Sequence, residues 1–321
     1  MFKRFQILVL CLITAVAACF SVGCSGGGNS VTVTFVQSGK TVDTITVKSG
    51  EKINENKVKS PERDYDECVT EWNFDFSLPV TEDVTVETVF YTDGVEFAPS
   101  LKGDYYFVSG YKGATDQVYL PDFYRGKPVT AIKADAFKDN LVVVSVRLPA
   151  NLISVGDNAF KHCQNLQAAD LPDTVTSLGV SAFEDCQSLR LFKLPPKITK
   201  IPARLAQGHK YKSITVPEGV VAIEAYAFAS SITSIVLPVS LERIEHVGIW
   251  ANLQRIFYAG DSSQWELVNL SDEPYTGTGG FTFSAKSVAE NIATVYYYSE
   301  NKPTRRGNYW HYIDEEPAVW N

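Results

Sequence analysis

From residue 31 the apolar positions first alternate with polar ones. V-T-V-T-F-V at 31 to 36 and T-V-D-T-I-T-V at 41 to 47 place β-branched residues at every second position, with the turn signal S-G-K between them, which predicts a β-hairpin. After a polar stretch containing Pro61, F-D-F-S-L-P-V-T-E-D-V-T-V-E-T-V-F, from Phe74 to Phe90, reads as strand-like at both ends. Beyond it the period changes. A Leu/Val-Pro pair recurs with prolines at 149, 172, 195, 217 and 238, about every 23 residues.

Within each period the same apolar positions return. V-T-A-I, L-I-S-V, V-T-S-L and V-V-A-I each precede an Ala-Phe pair, ending at Phe137, Phe160, Phe183 and Phe228. Two copies are degenerate, and in them the pair reads Arg204-Leu205 and Gly248-Ile249. Each copy also carries a short strand-like segment, marked by Leu166, Ala169 and Leu171, by Leu189, Phe192 and Leu194, and by Ile232, Ile235 and Leu237. A unit this short cannot enclose a core of its own, whereas stacked units bury the repeated positions in one stripe. The pattern therefore predicts a mainly β solenoid with short helical or irregular turns. Six turns at about 4.8 Å each give a body roughly 30 Å long.

The first two dozen residues read as an address. Lys3 and Arg4 precede an apolar run from Phe5 to Ala18, and S-V-G-C-S-G-G-G follows at 21 to 28. The run is short for a span of about 20 residues and lacks charges on its far side. It predicts export. Small residues before Cys24 and a Gly/Ser tether after it resemble a bacterial lipoprotein processing site, with Cys24 as the lipidated residue and V-A-A-C, ending at Cys19, as the rival. The resemblance implies an anchor of two or more acyl chains on an exported protein held at the bacterial cell surface.

With 29 Lys plus Arg against 37 Asp plus Glu, the formal charge is −8, and loss of the leader takes it to about −10. That excludes a general nucleic-acid binder, which needs a basic face. Composition, at 45% apolar, is sufficient for a folded core. Once the leader and the lipidated residue are set aside, only Cys68, Cys163 and Cys186 remain, too few for a disulfide framework. Cys163 and Cys186 lie one repeat apart and should stack on adjacent turns, as buried thiols or as a pair.

Catalytic chemistry leaves little trace. His162, His209, His246 and His311 share no metal-ligand spacing, and H-E-x-x-H, C-x-x-C and G-x-S-x-G are absent. G-T-G-G at 277 to 280 lacks the Lys and Ser/Thr of a phosphate loop and reads as a plain loop. No cofactor and no metal is expected, and the protein reads as non-catalytic.

The order V-T-x-I-x-x-x-A-F-x-x-C-x-x-L-x-x-V-x-L-P resembles the BspA-like leucine-rich-repeat family over about residues 95 to 321. Y-Y-F-V-S-G-Y-K-G (105 to 113) resembles its N-terminal lead-in, and L-Q-R-I-F-Y-A-G-D-S-S-Q-W (253 to 265) its C-terminal cap. The F-D-F-S-x-P-V-T-E-D-V-T-V segment resembles the Listeria–Bacteroides repeat, the internalin-type B repeat, a small β-grasp-like module that mostly serves as a spacer. Glu71 before Trp72 and Phe90 in place of a closing Trp depart from its pattern. The expected organisation is a signal peptide over 1–23 and a lipidated Cys with its tether over 24–30. A β module over 31–92, a leucine-rich-repeat solenoid over 95–260 and a C-terminal cap region over 261–321 follow.

Side chains alternate across a strand, so the residues flanking each inward position should form outward ladders on the stacked turns. One ladder is Arg147, Asp170, Lys193, Thr215, Val236 and Phe257. Its neighbour is Ser145, Ala168, Leu191, Ser213, Ser234 and Arg255. Together they are the candidate binding face, with Leu191, Val236 and Phe257 expected as exposed apolar anchors. The aromatics Tyr296 to Tyr298, Trp310, Tyr312 and Trp320 are expected in the core of the cap. The family resemblance implies a surface protein that binds a protein ligand, a host matrix protein or another cell, while held to a membrane by its lipid. A glycan partner reached through Trp265, Trp310 or Trp320, or a purely structural role, is the alternative.

Overall fold

The computed structural model describes residues 30–63, 68–190, 192–228, 232–245, 252–276 and 282–320. Cys19, Cys24, the leader, Leu191, His246, the Gly248-Ile249 pair and the 277–280 glycines lie outside the described residues.

The predicted hairpin forms as β1 (Ser30–Gln37) and β2 (Lys40–Lys48). Ser38 and Gly39 both take positive φ, 51° and 75°, the two-residue turn whose twist matches that of the strands it joins. β3 (Cys68–Trp72) and β4 (Val84–Thr92) complete a sheet in the order β2-β1-β4-β3, with β1 parallel to β4 in the centre and antiparallel partners outside. This is β-grasp order. Among the described residues of the crossover between β2 and β3, where a helix would be usual, stands one 3-10 turn (Glu55–Lys57). The front of the Phe74-to-Phe90 segment is not a strand. Phe74 and Phe76 instead sit on a turn and pack their rings 6.2 and 6.1 Å from Phe35, because three aromatics gain more by clustering than by alternating across a sheet edge.

β4 leads directly into the solenoid. A hairpin of β5 (Val95–Pro99) and β6 (Tyr106–Tyr111) opens it, followed by β7 (Gln117–Tyr119), β8 (Phe123–Tyr124) and β9 (Lys127–Ile132). The junction is polar and aromatic. Tyr119 N–H donates to Thr92 Oγ1 at 2.7 Å, Phe90 stacks on Tyr119 at 4.5 Å, and Lys127 Nζ meets Asp75 at 3.1 Å.

The later turns place short parallel strands on two sides, and on each side the pairing is broken once. On the first side, called the first sheet below, β10 (Ser145–Arg147) pairs with β7, and β14 (Ser213–Thr215), β16 (Ser234–Leu237) and β18 (Arg255–Tyr258) pair with one another. On the second side, called the second sheet, β9, β11 (Ser154–Val155) and β12 (Ser177–Leu178) pair in one group, and β13 (Lys200–Ile201), β15 (Ala222–Ile223) and β17 (Arg243–Ile244) in another. Residues 168–170 keep one bridge, Ser145 to Ala168, and no strand. Ala168, Ala169 and Asp170 are poor strand formers, whereas S-I-T, S-I-V-L and R-I-F-Y are β-branched or aromatic and pair fully.

On the third side the chain turns through the left-handed region at a repeated position, Asp135, Asn158, Ser181, Arg204 and Tyr226, with φ of 62°, 54°, 57°, 55° and 59°. That register corrects the reading of the degenerate fourth copy. Arg204 occupies the left-handed position of Asn158, and Ala206 pairs with Phe228, so the Ala-Phe slots are filled by Leu205 and Ala206 rather than by Arg204 and Leu205. The space vacated by the missing ring is taken by Phe192, 5.1 Å from Phe183 and 5.5 Å from His209. Elsewhere the rings stack directly: Phe137 on Phe160 at 4.9 Å and Phe160 on Phe183 at 5.1 Å. At Gly179 the turns approach so closely that an added Cβ would lie 2.3 Å from Asp157 N.

A polar spine runs beside these rings. The thiols of Cys163 and Cys186 are free and buried, and they donate to Phe137 O and Phe160 O, each at 3.0 Å. The two do stack on adjacent turns. Burial pushes Cys163 up to about 12 and Cys186 well above the usual thiol value. Neither thiol is expected to react with Ellman's reagent in the folded protein, and both should react once denaturant is added.

His209 extends the spine, with Nε2 at 2.6 Å from Phe183 O and 2% of its surface exposed. Burial lowers its pKa from 6.5 to about 4. The unfolded chain thus takes up a proton near pH 6.5 that the folded chain refuses until about pH 4. Stability from this group is complete above pH 6.5 and is lost towards pH 4, at about 1.4 kcal/mol per pH unit. Urea denaturation across that range should show the loss in the native protein and a shallower dependence in His209→Cys, which restores the side chain of the neighbouring turns.

The last turn is closed by α1 (Ser262–Trp265), β19 (Asn269–Leu270), a short pair β20 (Tyr275–Thr276) and β21 (Thr282–Phe283), and α2 (Ala285–Asn291). Asp261 and Gln264 form a reciprocal capping box on α1. β22 (Thr294–Tyr298), β23 (Tyr309–Ile313) and β24 (Glu316–Val319) then extend the first sheet to the order β14-β16-β18-β22-β23-β24. One apolar core runs from Tyr91 to Ala289.

Candidate binding face of the first sheet

The outward ladders form in the predicted register over the later turns. Ser213 pairs with Ser234 and Ser234 with Arg255, while Thr215 pairs with Val236 and Val236 with Phe257. Ser145 bridges to Ala168 on the earlier ones. Inward residues between them, Val146, Ala169, Ile214, Ile235 and Ile256, are buried. The columns run further than the sequence reading placed them. Gln117 and Tyr119 pair with Ser145 and Arg147 at one end, and Thr294 and Tyr296 with Arg255 and Phe257 at the other. The signal was present in Q-V-Y and T-V-Y, which repeat the polar-Val-polar pattern of S-V-R.

Exposure divides the face into three parts. Arg147 is already engaged. Its two terminal nitrogens donate to Asp122 at 2.7 and 2.9 Å, one of them also to Leu120 O, and its guanidinium lies 4.8 Å from the Tyr119 ring. Burial raises the Asp122 pKa, but the Arg147 bonds and the Ala150 amide outweigh it and hold the carboxyl below its usual value. Arg147 therefore ties the first turns together.

At the other end Val236 and Phe257 are not exposed anchors. They are 6% and 2% exposed, covered by Trp310, which is itself fully buried and donates its indole N–H to Tyr258 O at 2.8 Å. Trp310 on β23 and Val319 on β24 pack against these outward apolar side chains. Val236 and Phe257 are apolar because they are core of the cap. The cap aromatics divide accordingly: Trp310 is buried, Tyr296, Tyr297 and Trp320 are half-buried, and Tyr298 and Tyr312 are exposed at 40% and 48%.

Between the two ends lies an open strip. Ala168, Asp170, Lys193, Ser213, Thr215 and Arg255 are exposed, and Ser145 and Ser234 are half-buried. The strip is polar and cationic, and it rests on a continuous core.

Residues 130–248 match, in six copies, the family model described as the BspA type leucine rich repeat region. This stretch is similar to BspA-type leucine-rich repeats. The matched residues begin within β9, and the open strip falls largely within them. Among solved structures, a leucine-rich-repeat protein of T. pallidum is 25% identical over 51% of this chain and 78% of its own, with a TM-score of 0.48. A leucine-rich cell surface protein of Faecalibacterium prausnitzii A2-165 is 25% identical over 56% of this chain and 42% of its own, with a TM-score of 0.38. No curated protein matches the chain.

Among the described residues no group of three or more His, Cys, Asp or Glu could hold a metal ion, and no helix is long and apolar enough to cross a membrane. Two clefts, one of about 250 Å³ beside Arg243, Asn269 and Glu273 and one of about 600 Å³ beside Glu55, Trp72, Asp75 and Arg125, are lined by neither His nor Cys. The match suggests a protein-binding or structural role for the repeats.

Proposed function

We propose that the protein is a bacterial cell-surface lipoprotein, anchored through Cys24, whose BspA-type array binds protein partners without chemistry, in adhesion to host matrix proteins or to other cells. The observation that carries this reading is the open strip. Side chains of at least five turns stand on it in fixed register over one core, which is the extended, pre-organised surface that solenoids offer to partners. The leader pattern of residues 1–24 supports export and anchoring. In this reading residues 31–92 are an internalin-type B-repeat-like module that carries the array of 95–260 outward, and 261–321 is the cap.

The test is binding of the soluble ectodomain, residues 25–321, to an array of matrix proteins, bacterial cells and glycans. Beside it stands Ala168→Trp/Thr215→Trp, which puts a bulky ring on two exposed turns without touching the core. A protein ligand bound by the native chain and lost in the folded variant is expected. A glycan retained by that variant and lost in Tyr298→Ala/Tyr312→Ala would move the site to the exposed aromatics of the cap, and an array without any ligand would leave a structural role.

A further inference from the structure

The charge on the open strip is opposite to that of the molecule. The whole chain carries −8, yet Arg190, Lys193, Lys212 and Arg255 are all exposed on the first-sheet side, and none forms an ion pair with a described residue. Their placement follows from the repeat. Arg190 N–H donates to Gln167 O and Thr233 N–H to Lys212 O, so Gln167, Arg190, Lys212 and Thr233 occupy one column at the start of successive strand segments. Lys193 stands in the column of Asp170 and Thr215, one repeat from each, and Arg255 in that of Ser213 and Ser234. Two adjacent turns, carrying Arg190, Lys193 and Lys212, and a third two turns further on, carrying Arg255, thus present cations with the hydroxyls of Ser213, Thr215 and Ser234 between them. With Val236 and Phe257 sealed under Trp310, the described part of the open strip offers a partner no apolar side chain larger than Ala168.

Resting on the protein-binding reading above, we infer that the partner docks an acidic polypeptide segment on the Arg190–Lys193–Lys212–Arg255 surface. Complementary charge steers such an encounter and sets its register more than apolar contact does. A polypeptide fits better than a uniformly anionic glycan because Asp170 is exposed one repeat from Lys193 in the same column. A run of like charges along the strip would meet that carboxylate, whereas a peptide can place a neutral or basic residue opposite it.

The test titrates the ectodomain into fluorescein-labelled oligoglutamate, and separately into heparin, while salt is raised from about 0.1 M to about 1 M, which shortens the screening length from about 10 to about 3 Å. The comparison protein is Arg190→Glu/Lys193→Glu/Lys212→Glu, whose exposed side chains leave the core intact, as its melting curve should confirm. Oligoglutamate binding that weakens with salt and falls about tenfold or more in the triple variant is the expected result. Absence of oligoglutamate binding, equal binding by the triple variant, or tighter binding of heparin than of oligoglutamate would overturn the inference. A protein ligand found on the array, kept by the triple variant and lost in Ala168→Trp/Thr215→Trp, would overturn it while leaving the protein-binding reading in place.

Discussion

Replacing Phe160 with alanine is expected to destabilise the fold by about 3 to 5 kcal/mol, the range for truncating a fully buried aromatic. The ring has no solvent exposure and stacks on Phe137 at 4.9 Å and Phe183 at 5.1 Å. Collapse into the cavity is resisted on both sides. Phe160 N–H donates to Ala182 O on the next turn, and Phe160 O accepts from the Cys186 thiol, so the backbone around the gap is held in register. The chain itself contains the remedy. Ala206 stands in the same slot two turns on, and there Phe192, fourteen residues earlier by the numbering, supplies the missing ring. The corresponding position for Phe160 is Val146, buried at 5% exposure. Urea denaturation should therefore show Phe160→Ala strongly destabilised and Phe160→Ala/Val146→Phe partly recovered. A loss below about 1 kcal/mol in the single variant would mean that the turns relax freely, contrary to a core shared between them.

Trp310→Ala is the second large effect, also about 3 to 5 kcal/mol, but confined mainly to the C-terminal end. The indole lies 5.5 Å from Phe257, 5.2 Å from Tyr298 and 4.9 Å from Tyr312, and its N–H satisfies Tyr258 O. Its removal uncovers Val236 and Phe257 and leaves the Tyr258 carbonyl without that donor. The last two strands should loosen while the turns before Val236 stay folded, because those turns are held by their own neighbours. Limited proteolysis should cut first near 299–308, and binding of the dye ANS should rise. A variant with unchanged proteolysis and no dye binding would show that the cap is held by other contacts.

The repeat made the solenoid legible: prolines about every 23 residues and returning Ala-Phe pairs fixed which positions face the core, and the ladders followed from strand alternation. The errors fall where that period breaks. Degenerate residues 203–206 could be aligned by identity in more than one way, and only the left-handed conformation at Arg204 places Leu205 and Ala206 in the core slots. Val236 and Phe257 were misjudged because the period says which face a side chain is on and nothing about a later segment folding over it. Trp310, more than fifty residues beyond Phe257, has no partner in the repeat pattern to announce it. Arg147 likewise reads as one more ladder residue until Asp122, from the irregular lead-in, is seen to hold it. Phe74 and Phe76 show the same limit in the N-terminal sheet: alternation suggested a strand, and clustering with Phe35 made a turn.

The most direct test of the open strip as the recognition surface is amide hydrogen exchange of the ectodomain, with and without a protein partner recovered from the array. Protection on binding should be confined to the first-sheet side, around 167–170, 190–193, 212–215, 233–234 and 254–255, with the second sheet at 154–155, 177–178 and 222–223 unchanged. Protection centred on that second sheet, or on the N-terminal sheet of residues 30–92 with the strip unaffected, would contradict the assignment.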